Sequence, residues 1–366
     1  MRSLLLSLFS LLFAATLAAQ ERTVRIGVLG IFHTKQFTLA PPPGGSLVLT
    51  AAGNTLILES QLHAAPARIR LAQGDLVLEA NGQTFHASEI RVAARDAGPA
   101  EFLLGVPGKL TRPFRGLLEF RASGAELLAI VTMDLETAVA SIVQAESAPG
   151  TSPEALRAQA VVSRSYLLAV RGRHSEFDFC DLTHCQFLRE PPPAGSPAQL
   201  AATATRGLVL AWQGQPIAAM FTRSCPGHTL TPADVGLPGG PYPYSSVECE
   251  LCRKDPVRWT RQLSLHDAAQ LLLDGEAGRL ALGRRLGWDA VPGNGYSIRR
   301  EGDLAILDGI GQGHGIGFCQ RGAKFMAESG SGFRAILAHY FPGAVILALP
   351  SNSISPPPPV ASSTPR

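Results

Sequence analysis

The hydrophobic period of this sequence changes near Asp134, and the change divides the chain into two parts that must fold differently. From Thr23 to about Glu119, short runs such as VRIGVLGIF, SLVLTA and TLILES alternate apolar and polar residues between Gly, Pro and Asn-Gly turns. Alternation with period two is typical of half-buried β-strands, because successive side chains point to opposite faces of a sheet. The first part is therefore predicted to be a β-rich module.

Beyond Asp134 the apolar residues recur at helical spacing. The stretch DLETAVASIVQAESAPGTSPEALRAQAVVSRSYLLAVRG predicts two helices separated at Pro149, and Thr151 and Glu154 have capping-box spacing at the start of the second. A hairpin is predicted in LVLAWQGQPIAAMFT and a helix from Leu263 to Leu286. Helices mixed with strands in this part give the α+β fold class.

The N-terminus has the features of an export signal. Arg2 precedes an uncharged Leu-rich stretch, which ends in small residues such as Ala18 and Ala19 that suit signal peptidase. A membrane-spanning helix needs about 20 apolar residues, so this stretch is slightly short for a permanent anchor. The chain is predicted to be exported to the periplasm or cell envelope, with an uncleaved anchor at the membrane as the alternative.

Composition bounds the remaining organisation. A hydrophobic fraction of 46% and a charged fraction of 17% describe a globular chain, and a formal net charge of +3 argues against a nucleic-acid partner. The predicted segments are a signal peptide at 1–19, a β-rich module at 20–120, a mixed helix and sheet domain at 121–350, and a disordered Pro- and Ser-rich tail at 351–366.

Glu146 is the first candidate for chemistry. It follows Leu135, Val139 and Ile142 at helical spacing, so that a carboxylate ends the apolar stripe of the first helix. Partial burial and the negative end of the helix dipole would both favour the protonated carboxyl group. A general acid needs a raised pKa of this kind when an acetal oxygen leaves. The alternative is an ordinary glutamate at a fraying helix end, exposed or paired with an arginine.

The second candidate is a group of metal-binding residue types in HSEFDFCDLTHCQF. His174, Cys180, His184 and Cys185 lie within a dozen residues. Thiolate and imidazole ligands together suit tetrahedral zinc, and three or four ligands are available here. In an exported protein a Cys180–Cys185 disulfide is an equal alternative.

Four further cysteines bring the total to six, which allows 15 pairings if all are bridged. They are Cys225 in CPGHT, Cys249 and Cys252 in CELC, and Cys319. A second metal held by these four, or by His228 in place of Cys319, is one interpretation. Cystines are the simpler interpretation in an oxidising compartment.

The stretch GQGHGIGFCQRGAKFMAE, residues 311–328, places four glycines around His314 before a predicted helix. No Lys-Ser/Thr pair follows, which argues against a phosphate-binding loop. Because Gly permits positive φ and close backbone approach, the loop is predicted to press against a ligand or a neighbouring helix while it presents His314. A tightly packed loop with a buried histidine is the alternative.

Taken in order, these stretches resemble the SpoIID/LytB family, named for stage II sporulation protein D and the amidase enhancer. The resemblance covers roughly Val24 to Val345. It rests on eight stretches in family order: VRIGVL, FRGLLEF, VQAESAPGTSPEALRAQAVVSRSYLL, CDLTHCQF, ATRGLVLAWQGQPIAAMFTRSCPGHT, PYPYSSV, GHGIGFCQRGA and ILAHYFPGA.

The resemblance implies work on peptidoglycan. Sporulation members of the family are lytic transglycosylases, which cleave glycan strands between N-acetylmuramic acid and N-acetylglucosamine and leave a 1,6-anhydro sugar. Their catalytic acid corresponds to Glu146, and we expect Arg164, His314 and Gln320 to line the glycan cleft. The alternative is a noncatalytic peptidoglycan-binding protein or an amidase enhancer, whose partner would be a cell-wall amidase.

The resemblance also implies a metal. The family segment that corresponds to CDLTHCQ is associated with zinc held by a preceding His and two Cys, which are His174, Cys180 and Cys185 in this chain. A structural zinc ion is therefore expected there. A zinc hydrolase built on the same residues is less attractive, because two thiolates without a carboxylate base are typical of structural sites.

The chain departs from the family pattern at four positions. The departures are Arg321 where Trp is usual, Pro226 where a second Gly is usual, Phe187 where Tyr is common and Ser147 where Met is frequent. None of them removes Glu146. The loss of Trp at Arg321 is expected to weaken stacking on sugar rings.

Overall fold

The structure is a computed structural model that describes residues 23–60, 65–96 and 98–349. The predicted signal peptide at 1–19 and the predicted tail at 351–366 lie outside the described residues. Within those ranges, no helix combines the length and the apolar character that crossing a membrane requires.

The first part of the chain is built from strands, as the alternating pattern predicts. In β2 and β3, for example, every second residue is buried. The strands of this part are β1 (Thr23–Val28), β2 (Gln36–Ala40), β3 (Ser46–Ala51), β4 (Asn54–Glu59), β5 (Ala67–Ala72), β6 (Asp75–Ala80), β7 (Gln83–Ala87), β8 (Glu89–Ala94), β9 (Ala100–Val106), β10 (Leu110–Ser123) and β11 (Glu126–Asp134).

These strands form one curled antiparallel sheet in the order β1-β11-β10-β9-β2-β5-β6-β7, and β8 joins β10 to the β3–β4 hairpin. The curl follows from β10, which pairs with β9 as far as Gly116 and with β11 from Leu117 onward. The predicted division at residue 120 lies inside β10, and the division into domains stays a prediction.

The second part mixes helices with short strands, which confirms the α+β class. The described residues contain α1 (Leu135–Glu146), α2 (Pro153–Ala169), α3 (Pro197–Ala204), α4 (Glu250–Lys254), α5 (Leu265–Asp274), α6 (Glu276–Leu286), α7 (Gln320–Glu328) and α8 (Phe333–Tyr340). The strands are β12 (Phe179–Cys180), β13 (Leu208–Trp212), β14 (Gln215–Pro216), β15 (Phe221–Thr222), β16 (Arg258–Ser264), β17 (Gly295–Glu301), β18 (Leu304–Ile310), β19 (Phe318–Cys319) and β20 (Val345–Ala348).

Helix α1 begins directly after the sheet. The carboxylate of Asp134 caps it by accepting hydrogen bonds from the backbone N–H groups of Glu136 and Thr137, at 3.0 and 3.2 Å. Its predicted stripe of Leu135, Val139 and Ile142 is buried. This packing fixes where the last residue of the helix, Glu146, is presented.

Two local predictions differ from the structure. Helix α2 starts after Ser152 without a capping box, because the Thr151 hydroxyl donates to the Ala148 carbonyl and the Glu154 carboxylate accepts from the backbone of Phe333. The helix predicted from Leu263 to Leu286 is β16 to Ser264 followed by α5 and α6, which are separated at Gly275, where φ is +53°.

The described residues form three hydrophobic cores. The first joins the sheet to α1, and the second lies between α2, β13 and α8. Helix α2 serves both, since Leu156 and Leu167 pack in the first and Val161 and Val162 in the second. The third core holds β16–β18 against α5 and α6.

Candidate active site

Glu146 lies half-buried at the wall of a cleft. Its Oε1 accepts a hydrogen bond from the backbone N–H of Phe187 at 3.0 Å. Burial raises the pKa of Glu146 to about 7, and the Phe187 N–H and the charge of Arg223 oppose the shift only in part. A carboxyl group with this pKa can give and take a proton near neutral pH.

The cleft extends to both sides of Glu146. A cavity of about 330 Å³ lies on one side and a cavity of about 540 Å³ on the other. Both are lined by Glu146, Arg223, Gln312 and Gln320, so the two volumes share a wall at the carboxyl group. Such an arrangement suits a linear polymer that passes the carboxyl group.

Gln320 lies beside Glu146 at the start of α7. Its side-chain Nε2 donates to the backbone carbonyl of Glu146 and to the side-chain oxygen of Gln159, at 3.2 Å in each case. The amide therefore connects the end of α1 to α2 and α7. Gln320 lines both cavities of the cleft.

His314 lines the larger cavity. Burial lowers its pKa to about 4, so the ring is neutral near pH 7. Its Nδ1 lies 3.0 Å from the backbone N–H of Ile316 and accepts a hydrogen bond from it, which leaves the ring proton on Nε2. His314 is therefore a neutral hydrogen-bonding group rather than a cation.

The glycines around His314 bring the loop close to protein. A Cβ atom at Gly311 would lie 2.6 Å from the Ser224 carbonyl oxygen, and one at Gly317 would collide with the Met220 carbonyl oxygen. Both residues also have positive φ, +89° and +72°. The loop is therefore tightly packed against residues 220–225, while His314 within it lines the larger cavity.

The structure does not bring Arg164 to the cleft. Its side chain has no exposed surface, and it forms a bidentate pair with Glu136 while donating to the carbonyl oxygens of Ala202 and Leu208. These contacts hold α2 against α1, α3 and β13. Arg164 is thus a packing residue, because its guanidinium group is paired with Glu136, the residue that directly follows Leu135 at the start of α1.

The four metal-binding residue types of the second candidate come together. Their nearest ligand atoms all lie within 4.8 Å of one another. Cys185 Sγ is 3.4 Å from His174 Nε2, 3.5 Å from Cys180 Sγ and 3.6 Å from His184 Nδ1. A tetrahedral zinc ion spaces such atoms by about 3.4–3.8 Å, whereas a disulfide requires about 2.05 Å. His184 completes a set of four with the predicted His174, Cys180 and Cys185.

Several residues of the cleft were not singled out from the sequence. Arg223, Gln312 and Trp288 line it, and each stands alone in a segment without helical or strand periodicity. Arg321, at the position where the family usually has Trp, lines the smaller cavity and donates to the backbone and carboxylate oxygens of Asp255. Gln312 had a detectable signal, since it belongs to the glycine-rich stretch.

Comparison with known proteins agrees with the resemblance drawn from the sequence. The family model described as SpoIID, stage II sporulation protein, matches residues 123–212. An uncharacterized protein of Brachyspira hyodysenteriae is 25% identical over 270 residues, covering 64% of this chain and 72% of that protein. Stage II sporulation protein D of Bacillus subtilis is 24% identical over 262 residues, covering 59% of this chain and 75% of that protein.

A shorter match is to an amidase enhancer. The amidase enhancer of Bacillus subtilis is 38% identical over 50 residues, which is 14% of this chain and 7% of that protein. The segment that matches the family model contains Glu146. It also contains all four residues of the Cys and His cluster, which are His174, Cys180, His184 and Cys185. Together these findings show that the chain is similar to stage II sporulation protein D and to an amidase enhancer, and they support the resemblance to the SpoIID/LytB family.

Proposed function

We propose that this chain is an exported lytic transglycosylase that cleaves peptidoglycan glycan strands between N-acetylmuramic acid and N-acetylglucosamine. Its kinship with stage II sporulation protein D and with an amidase enhancer supports a role in cell-wall remodelling. The observation that carries the finer proposal is Glu146, a carboxyl group with a pKa near 7 at the centre of a two-sided cleft.

Glu146 serves as acid and then as base. In its protonated form it gives its proton to the glycosidic oxygen as the bond to C1 of the muramyl residue breaks, which leaves an oxocarbenium-like centre. The resulting carboxylate takes the proton of the C6 hydroxyl group of the same sugar as that oxygen bonds to C1. The product is a 1,6-anhydro end, no water is consumed, and Glu146 is again protonated.

Neighbouring groups fit this cycle. The Phe187 N–H holds the carboxyl group in place, and the charge of Arg223 favours the carboxylate that forms after proton transfer. The neutral His314 lines the larger cavity, where its ring hydrogen-bonds to the backbone of Ile316 and of Phe221 and so forms a fixed part of the wall. One carboxyl group suffices because the nucleophile belongs to the substrate.

The Cys and His cluster supports a structural zinc ion. Its four ligand atoms lie within 4.8 Å of one another, and four protein ligands would fill a tetrahedral zinc site without an open position for a substrate or a reactive water. A zinc ion bound there would hold the segment after α2 in a fixed conformation. One of its ligands, Cys185, is two residues before Phe187, whose backbone N–H donates to Glu146. This arrangement favours a positioning role over hydrolysis at the metal.

A direct assay tests the proposal. Purified protein is incubated with glycan strands stripped of stem peptides, and the products are analysed by mass spectrometry for 1,6-anhydro ends. We expect Glu146→Gln to lower the rate by about 100-fold or more, because general acid catalysis typically contributes 10²–10⁴-fold. Glu190→Gln is the matched control, since Glu190 is exposed and lies outside the cleft. Cleavage by Glu146→Gln at the wild-type rate would exclude the mechanism.

The amidase enhancer match supports a second candidate, a noncatalytic protein that holds glycan in the same cleft. The two functions differ in the same assay. Glycan binding without anhydro products, together with stimulation of a separate cell-wall amidase, would establish the second function. Anhydro products that depend on Glu146 would establish the first.

A further inference from the structure

Four buried cysteines from separate parts of the chain converge on one point behind the cleft. Cys225 follows β15, Cys249 and Cys252 bracket the first turn of α4, and Cys319 ends β19. None is more than 2% exposed, and all four Sγ atoms lie within 4.8 Å of one another. The cleft chemistry proposed above does not use them.

The spacing of the sulfur atoms suits a single tetrahedral ion. Cys252 Sγ and Cys319 Sγ are 3.6 Å apart. Four thiolates at a zinc bond length of about 2.3 Å lie about 3.8 Å from one another, whereas a disulfide brings its two sulfurs to about 2.05 Å. The Cys-x-x-Cys pair on one helical turn supplies two of the ligands from a rigid element, as in structural zinc sites.

Hydrogen-bond donors surround the sulfur atoms. Cys319 Sγ accepts from the backbone N–H groups of Cys225 and Gly322, at 3.4 and 3.5 Å. The hydroxyl of Ser224 lies 3.5 Å from Cys252 Sγ, and that of Tyr340 lies 3.5 Å from Cys249 Sγ. Donors placed in this way stabilise thiolates, and they orient ligands around a metal.

Gly322 shows how closely the chain is packed at this point. A Cβ atom there would collide with Cys249 Sγ and with the Tyr340 hydroxyl. The glycine therefore lets the first turn of α7 rest on the sulfur cluster. Its backbone N–H is one of the donors to Cys319.

We propose that Cys225, Cys249, Cys252 and Cys319 bind one Zn²⁺ as a tetrathiolate site, separate from the Cys and His cluster near His174. Binding converts the four thiols to thiolates and releases their protons to solvent. With four protein ligands the ion has no open position, so the site is structural.

The site fixes one wall of the cleft. Arg223 and Ser224 precede Cys225 directly, and Gln320 and Arg321 follow Cys319 directly; all four residues line the smaller cavity. One metal ion would thus hold segments that are 94 residues apart in the chain at the distance that the cleft requires. A metal ion that closes a loop of this length removes more conformational entropy from the unfolded chain than one that closes a short loop.

The test measures metal and thiols rather than activity, so its outcome is independent of the proposed transglycosylase reaction. The full chain is purified under anaerobic, reducing conditions and examined by elemental analysis and native mass spectrometry. We expect Cys180→Ser, which disables the other cluster, to retain one zinc per chain. X-ray absorption of that variant should show four sulfur ligands. Adding Cys252→Ser to it should remove the remaining zinc.

The wild-type chain provides a second measurement in case a variant fails to fold. Two zinc ions, one in each cluster, give an average of three sulfur ligands per ion, whereas one ion in the Cys and His cluster gives two. Absence of zinc from folded Cys180→Ser would overturn the proposal. So would disulfides among these four cysteines in a second preparation that is purified without any reductant and examined by alkylation and peptide mapping.

Discussion

The ionised form of Glu146 opposes folding, and this effect can be measured without a substrate. The pKa of its carboxyl group is about 7 in the folded chain, against an ordinary value of 4.5. Below pH 4.5 both states hold the proton. As pH rises from 4.5 to 7, the unfolded chain releases the proton first, so the wild-type protein loses stability that it has at low pH.

This sign gives the first prediction. Because glutamine does not titrate, the stability of Glu146→Gln relative to wild type should rise by up to about 3 kcal/mol between pH 4 and pH 8, at 1.36 kcal/mol per pKa unit. Urea unfolding at the two pH values measures it. Glu190→Gln, which changes an exposed carboxylate, should show a much smaller difference. A pH-independent effect of Glu146→Gln would contradict the raised pKa.

Arg223 carries the second prediction, on the pH dependence of cleavage. The protonated form of Glu146 starts the proposed reaction, so kcat/KM should fall as pH rises above about 7. The charge of Arg223 lowers this pKa, and its removal in Arg223→Met should move the falling limb to higher pH. Arg223→Lys keeps the charge and should leave the limb near its wild-type position. If the falling limb moves equally in both variants, the charge of Arg223 does not set the pKa of Glu146.

At this scale the sequence predicts a residue only when its role follows from its own helix. The spacing from Leu135 to Glu146 indicates a carboxyl group at the end of a buried stripe, and the structure agrees. Arg223 and Phe187 act on Glu146 from loops far along the chain, so no periodic pattern predicts their contribution to the site. The role of Arg164 could not be predicted for the same reason, because its partner Glu136 lies on another helix.

Between elements, Arg164 and Glu136 hold the helices together. Glu136 also accepts a hydrogen bond from the backbone of Gly207 at 3.3 Å. Arg164→Met should lower the free energy of unfolding by about 3–5 kcal/mol, because it leaves the Glu136 carboxylate without its charged partner. Adding Glu136→Gln should recover part of the loss. KM for glycan should stay unchanged in protein that remains folded. A raised KM would mean that Arg164 contributes to glycan binding in the cleft.

The glycine-rich loop before α7 gives a matched comparison of packing and backbone strain. Gly317 and Gly330 both have positive φ, +72° and +94°, but only Gly317 would place a Cβ against the Met220 carbonyl, whereas Gly330 has open space. Gly330→Ala should cost about 1 kcal/mol of stability. Gly317→Ala should cost about 2 kcal/mol more, because the loop must move. Thermal unfolding of the two variants measures the difference, and equal losses would mean that the loop adapts freely.

The loop also shows what a sequence can tell about an element. Its glycines predict that the backbone approaches something closely, but the neighbour is residues 220–225, which no local pattern connects to it. The capping box at Thr151 fails for a similar reason. Its glutamate, Glu154, meets the backbone of Phe333 at the start of α8, a partner that only the packed structure supplies.

For the whole molecule, the α+β class follows from the change of hydrophobic period, whereas the cleft arises where separate cores meet. The third core, built on β16–β18 with α5 and α6, brings Glu276 and Arg279 to the larger cavity, facing Glu146. The sequence predicts a single helix from Leu263 to Leu286, where the structure has the end of β16 followed by α5 and α6. Their position relative to α1 depends on long-range packing, which the local sequence pattern does not predict.

Trp288 makes this arrangement testable. It follows α6, is 46% exposed and lines the larger cavity. An exposed indole in such a cavity is suited to stack on a sugar ring. Trp288→Ala should therefore raise KM by about threefold to tenfold for glycan oligomers long enough to reach the larger cavity, since an aromatic contact is worth about 0.5–1.5 kcal/mol. Because Glu146 is untouched, kcat should change little.

The dependence on substrate length separates contact with sugar from a general disturbance of the third core. Leu273→Ala is the control, because Leu273 lies on α5 of the same core, is 85% exposed and lines neither cavity. It should leave KM unchanged at every length. For Trp288→Ala, the ratio of mutant to wild-type KM should grow as the oligomer lengthens past Glu146 into the larger cavity. A ratio that stays constant with length would mean that the glycan does not extend along this wall, and that the third core supports the cleft without contacting the strand.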